Sequence, residues 1–190
     1  SSGADTLLEI EHVTGSSHDD SIIGSASENS LFGGGGNDYL SGGGGSDWLI
    51  GGAGNDTLVG GDDGENADYA VYGWETAGVE VNLATGQASG ASAGVDTLVG
   101  IERVWGSDHN DTIVGDAQAN ILHGNGGDDA IDGGMGDDNL DGADGNDTLN
   151  GGEGADWLTG GAGNDLVRGG GGNDWLNGGD GSDHLEGGAG

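Results

Sequence analysis

Aspartate recurs at every ninth residue over long stretches of this chain, with glycines before it at fixed distances. From Gly124 the units GNGGDDAID, GGMGDDNLD, GADGNDTLN, GGEGADWLT, GGAGNDLVR, GGGGNDWLN and GGDGSDHLE follow in strict frame. From Gly33 the units GGGGNDYLS, GGGGSDWLI and GGAGNDTLV do the same. The shared pattern is G-G-x-G-x-D-x-U-x, with U a large aliphatic. Position six supplies Asp38, Asp47, Asp56, Asp129, Asp138, Asp147, Asp156, Asp165, Asp174 and Asp183. A carboxylate is a hard oxygen donor, so a regular series of carboxylates suits hard cations.

The spacing says how such donors meet. Positions seven to nine of a unit, such as Trp48-Leu49-Ile50, form a short extended strand with the middle side chain pointing inward. The other six residues must turn the chain, and glycines at positions one, two and four permit positive φ there. Successive strands then alternate between two parallel sheets, so one coil takes two units and aspartates eighteen apart come into register. One edge carries Asp111, Asp129, Asp147, Asp165 and Asp183, and the other Asn120, Asp138, Asp156 and Asp174. In the first block the rows are Asp20, Asp38, Asp56 and Asn29, Asp47. Such rows repel themselves. A divalent cation between consecutive carboxylates removes the repulsion, with its shell completed by carbonyls of the turns at Gly34, Gly36, Gly43, Gly45, Gly52, Gly54, Gly134, Gly136, Gly152, Gly154, Gly161, Gly163, Gly170 and Gly172. Calcium fits better than magnesium because it accepts six to eight oxygens in irregular geometry, and counting gaps between turns suggests on the order of ten ions. Zinc does not fit a chain with no Cys and no paired His.

The elements that position these donors are legible from the same frame. Val13, Ile22, Leu31, Leu40, Leu49 and Leu58, then Val104, Ile113, Leu122, Ile131, Leu140, Leu149, Leu158, Val167, Leu176 and Leu185, form a column of inward aliphatics. Asp20 and Asp111 keep the acidic position in worn units, whose position-four glycine is lost (His18, His109). Residues 5–61 align with 96–152, so the chain is one module nearly twice over. The expected organisation is a first block with lead-in strands over 1–61, an interval over 62–105 and a second block over 106–190. One aliphatic per unit buries too little apolar surface to offset the ordering of nine residues, so folding and cation binding should be one event.

Composition agrees. Glycine fills 49 of 190 positions, and 35 acidic residues face only Arg103 and Arg168, for a formal charge of −33. That charge argues against nucleic acid and anionic lipid as partners, and no apolar run is long enough to insert in a membrane. Collagen is excluded by the absence of Pro and of a three-residue period. The chain lacks an initiator Met and a signal peptide and reads as part of a longer protein.

The nonapeptide is the signature of the RTX (repeats-in-toxin) family, which this chain resembles over about 130 residues. The resemblance implies an all-β, right-handed parallel β-roll with calcium held between turns by the position-six Asp. It also implies type I secretion from a Gram-negative bacterium, with disorder in the low-calcium cytoplasm and folding outside. The loss of position-four glycine makes the turns at 15–32 and 106–123 the places where ions should be missing.

Residues 62–105 break the period. ADYAVY and GVEVNLA read as short strands separated by Gly73-Trp74-Glu75-Thr76-Ala77-Gly78, forming a β-hairpin between the blocks, and GQASGASAG reads as a flexible surface loop. Position seven points outward and is often aromatic, as at Tyr39, Trp48, Trp157 and Trp175. Trp157 and Trp175 should stack beside Asn139, either stiffening the sheet or meeting a polysaccharide or protein partner. Asp137-x-Asn139-x-Asp141-Gly142 opens like an EF-hand loop, but Thr148 stands where the twelfth-position Glu belongs. No Ser/His/Asp arrangement or acid–base pair stands apart from the repeat register, so the carboxylates read as ligands rather than as parts of an enzyme. The sequence points to a calcium-binding module of an extracellular protein. The alternatives are an accessory region of a secreted enzyme or a structural segment of a surface adhesin.

Overall fold

A computed structural model describes residues 11–61 and 67–190, and within them every regular element is a strand. The lead-in strand expected before Glu11 lies outside the described residues. One sheet has nine strands, in the order β1 (His12–Thr14), β3 (Ser30–Gly35), β5 (Trp48–Ala53), β7 (Tyr69–Val71), β11 (Arg103–Trp105), β13 (Ile121–Gly126), β15 (Asn139–Asp144), β17 (Trp157–Gly163), β19 (Trp175–Gly181). The other has eleven, in the order β2 (Ser21–Ile23), β4 (Tyr39–Gly43), β6 (Thr57–Gly61), β10 (Gly94–Val99), β9 (Gln87–Gly90), β8 (Glu80–Asn82), β12 (Thr112–Val114), β14 (Ala130–Met135), β16 (Thr148–Glu153), β18 (Leu166–Gly171), β20 (His184–Ala189). Within the repeats, neighbours in a sheet are parallel and eighteen residues apart, as in Leu31↔Leu49 and Leu140↔Leu158. This is a β-solenoid of the β-roll type, with one coil per two units.

The period of two along each strand puts position eight inside. From Ile22 through Val167 the aliphatic column is buried, and only the outermost coils leave Val13 and Leu176 part-buried and Leu185 exposed. The next inward position is the glycine at position one. A Cβ on Gly33 would meet the Asp38 carboxylate and the Gly51 carbonyl oxygen, so the roll has no room there for any larger residue.

The interval joins the blocks by adding strands to both sheets. β7 and β11 pair with each other and with the repeats on either side. In the opposite sheet β8, β9 and β10 form an antiparallel meander between β12 and β6. Two expectations are corrected here. ADYAVY and GVEVNLA do not form a hairpin together, because β7 continues one sheet and β8 the other; the hairpins are β8–β9 and β9–β10. GQASGASAG is not a surface loop. It holds β9 and the turn into β10, with Ala88 and Ala93 buried, since these small side chains fit a thin core that periodicity alone does not reveal.

Trp48, Trp157 and Trp175 lie on the outer face of the nine-stranded sheet, whereas Tyr39 stands in β4 of the other sheet. Trp157 and Trp175 pair in register, with ring centroids 3.8 Å apart, and Asn139 is the next neighbour. Trp48 stacks on Tyr69 at 4.3 Å, and Arg103 lies over the same tyrosine. These rings give their faces to one another along the sheet, which is the arrangement of cross-strand stiffening pairs.

Candidate metal centres

Each turn is built from its glycines upward. Position two has positive φ at Gly34, Gly43, Gly52, Gly134, Gly152, Gly161 and Gly170, between 97 and 115°. Position four has it at Gly36, Gly45, Gly54, Gly136, Gly154, Gly163 and Gly172, between 101 and 151°. The two left-handed residues fold the chain back tightly, and the position-six aspartate is drawn under the turn.

The aspartates then form ladders. The N–H of Asp38 donates to Asp56 Oδ1, and Asp20 donates to Asp38 in the same way. On that edge Asp111, Asp129, Asp147, Asp165 and Asp183 continue the pattern, each N–H donating to the next carboxylate at 2.7–3.1 Å. On the other edge Asn29 donates to Asp47, and Asn120, Asp138, Asp156 and Asp174 follow the same rule at 2.7–3.1 Å. The rows expected from spacing are therefore brought together as read.

The ladders also contain residues that the repeat frame missed. Asp47 donates to Asp68 Oδ1, and Asp56 donates to Asp96 Oδ1. Asp68 in turn donates to Glu102. A signal for Asp96 was present: Asp96-Thr97-Leu98-Val99-Gly100 repeats Asp56-Thr57-Leu58-Val59-Gly60. Asp96 also accepts from the buried Tyr72 hydroxyl at 3.3 Å.

A second ladder runs the opposite way at position five, along the Asp147 edge and, where Ala155 N–H donates to Asp137 Oδ1 at 2.8 Å, on the other. Asn55, Asn146 and Asn164 receive hydrogen bonds from, or give them to, the side chains one coil away, as when Asn146 N–H donates to Asp128 Oδ1 at 2.8 Å. These bonds hold Asp128 below the usual carboxylate range.

One carboxylate oxygen per turn is accounted for by the ladder. The other is the telling atom. Oδ2 of Asp38, Asp56, Asp129, Asp138, Asp147, Asp156, Asp165 and Asp174 is buried without a hydrogen-bond partner. Buried carboxylate oxygens left bare are strongly unfavourable, so each one calls for a cation or a proton. In the turns at Gly33, Gly133, Gly142, Gly151, Gly160 and Gly169, this oxygen and the position-one carbonyl of the next coil bound the space that a Cβ would fill. Among the described residues no group of three or more His, Asp or Glu side chains converges on one point. The groups that bound this space are a carboxylate oxygen and a backbone carbonyl oxygen, hard donors that suit calcium better than zinc.

The sequence profile of the RTX calcium-binding nonapeptide repeat (4 copies) matches residues 14–49, 41–64, 105–140, 132–167, 141–176 and 159–190, more than half of the chain. The chain belongs to the RTX calcium-binding repeat family. None of the curated proteins matches it in sequence. RTX repeats bind calcium, and the bare oxygens of these RTX turns fit that ion.

Protons are the competing occupant. Burial, with help from neighbouring carboxylates, pushes Asp129 up to about 7 and Asp138 and Asp147 up to about 6. Asp38, Asp56, Asp156 and Asp165 are raised for the same first cause. A carboxyl whose folded pKa lies above its unfolded value of about 3.9 favours folding where it is protonated, and that contribution is lost as pH rises through the folded pKa. Without calcium, the RTX roll should therefore gain stability as pH falls from about 7 towards about 4. Far-ultraviolet circular dichroism in chelator should show more β-structure at pH 5 than at pH 8. With calcium the order reverses, because the ion needs the carboxylate, and the calcium midpoint should rise as pH falls.

Proposed function

We propose that the RTX turns hold calcium through Asp38, Asp47, Asp56, Asp129, Asp138, Asp147, Asp156, Asp165, Asp174 and Asp183, with carbonyls of the turn glycines completing each shell. The ions number on the order of ten, and binding them drives the folding of this module within a larger secreted protein of a Gram-negative bacterium. The observation that carries this reading is the series of buried Oδ2 atoms without a donor. The thin core supports it too, since one aliphatic per turn leaves the fold dependent on another source of stability. Inside a cell, where calcium is scarce, the chain stays unfolded and fit for export; outside, calcium closes the roll. The module acts as a calcium-dependent scaffold rather than as an enzyme.

The test is a calcium titration followed by far-ultraviolet circular dichroism, with magnesium as control. The expected result is a disordered chain in chelator and a cooperative gain of β-structure with calcium but not with magnesium. A chain equally folded in chelator at neutral pH would overturn the coupling.

A further inference from the structure

The four turns that begin the two blocks, at 15–20, 24–29, 106–111 and 115–120, are built alike and unlike the others. In each, the position-two side chain accepts a hydrogen bond from the position-four N–H. Ser16 Oγ accepts from His18 at 3.3 Å, Ser25 Oγ from Ser27 at 3.1 Å, Ser107 Oγ from His109 at 3.1 Å and Asp116 Oδ1 from Gln118 at 2.8 Å. The position-two N–H then donates to the position-six side chain of its own turn. Ser16 donates to Asp20 Oδ2, Ser25 to Asn29 Oδ1 and Ser107 to Asp111 Oδ2, each at 2.6 Å, and Asp116 donates to Asn120 Oδ1 at 2.8 Å. The hydroxyls of Ser16 and Ser107 add bonds of 2.8 and 2.7 Å to the same carboxylates.

At Asp38, Asp56, Asp129, Asp138, Asp147, Asp156, Asp165 and Asp174 the matching oxygen is the bare one. The contrast does not depend on a side chain at position two alone. Asn125 and Ala143 occupy that position, yet they keep φ at 74 and 71°, retain glycine at position four, and leave Asp129 and Asp147 bare. Each closed turn carries both features, a Ser or Asp at position two and a residue other than glycine at position four.

We infer that these closed turns exclude calcium, and that the residues at positions two and four decide which turns of the roll bind the metal. The N–H and hydroxyl protons of position two sit against the oxygens that a cation would need, and at Asn29 and Asn120 the carboxylate charge is gone as well. The closed turns come in pairs, one on each edge, so residues 15–32 and 106–123 each make a full coil whose turns are satisfied without metal. Each such coil precedes a run of open turns and adjoins them with turns that take no metal. This inference rests on the reading of the open turns as calcium sites.

The test uses the full chain and its Ser107→Gly/His109→Gly variant, with bound calcium counted by equilibrium dialysis. The variant turn regains the open pattern around Asp111, so it should bind one ion more than the parent chain. An unchanged count in a variant that folds with calcium would overturn the inference. Should the variant not fold, amide hydrogen exchange on the parent chain decides. In the calcium-loaded chain the Ser16 and Ser107 amides should exchange slowly, held by the position-six carboxylates, and exchange as fast as in the unfolded chain would mean that the ion displaces them, against the inference. A parent chain that binds no calcium would instead sink the proposed function.

Discussion

Asp147→Ala should raise the calcium concentration needed to fold the second block by about tenfold to a hundredfold. Asp147 accepts the Asp129 N–H at 2.8 Å, donates its own N–H to Asp165, and keeps a bare Oδ2 inside its turn. Alanine removes a charged acceptor, which costs about 1.5–3 kcal/mol, and leaves the Asp129 N–H unmatched. It also removes the side-chain ligand of an ion with open turns on both sides. At about 1.4 kcal/mol per tenfold, these losses give the stated shift in a circular dichroism titration. Asp147→Asn separates the two contributions, because the amide oxygen can still accept the N–H but carries no charge. It should move the calcium midpoint while leaving the acid-stabilised, calcium-free form nearly unchanged. Asp20→Ala should shift the midpoint far less, since the Asp20 carboxylate is already engaged by Ser16, which holds it below the usual range.

Gly154→Ala should be more damaging still, and calcium should not rescue it. Gly154 has φ of +151°, a conformation open almost only to glycine. A Cβ there would run into the Gly136 carbonyl of the neighbouring coil, and that backbone is held by its own sheet partners. Strain of about 1–3 kcal/mol from the dihedral adds to the overlap, so a loss of several kcal/mol is expected in urea unfolding at saturating calcium. The adjacent Glu153→Ala, at an exposed position three, should stay within about 0.5 kcal/mol of the parent chain.

The solenoid was readable because one number governs it. The nine-residue step fixed which side chains face inward from Ile22 to Val167, and twice that step fixed which aspartates share an edge. Where the step changes, reading by period fails for a physical reason. Asp47 and Asp68 are ladder neighbours although twenty-one residues apart, so an insertion hides Asp68 from a search at eighteen. Asp56 and Asp96 are neighbours across forty residues because the β8–β10 meander comes between them. The strand Gln87–Gly90 lacks the β-branched and aromatic residues that mark a strand, and it forms because β8 and β10 flank it. The candidate sites were legible as rows, and the lost position-four glycine marked the turns at 15–32 and 106–123 as different. Periodicity places Asp20 and Asp147 alike; the hydrogen bonds show how they differ, one carboxylate already capped by Ser16 and the other left bare.

The most direct measurement is a crystal structure of the chain grown with calcium, with the ions located by their anomalous scattering. The account predicts ions inside the open turns, in contact with the Oδ2 atoms of Asp38, Asp56, Asp129, Asp138, Asp147, Asp156, Asp165 and Asp174, and none in the four turns closed by Ser16, Ser25, Ser107 and Asp116. Ions found only on outward acidic residues such as Asp128 and Asp137, with the position-six carboxylates touching no metal, would contradict it.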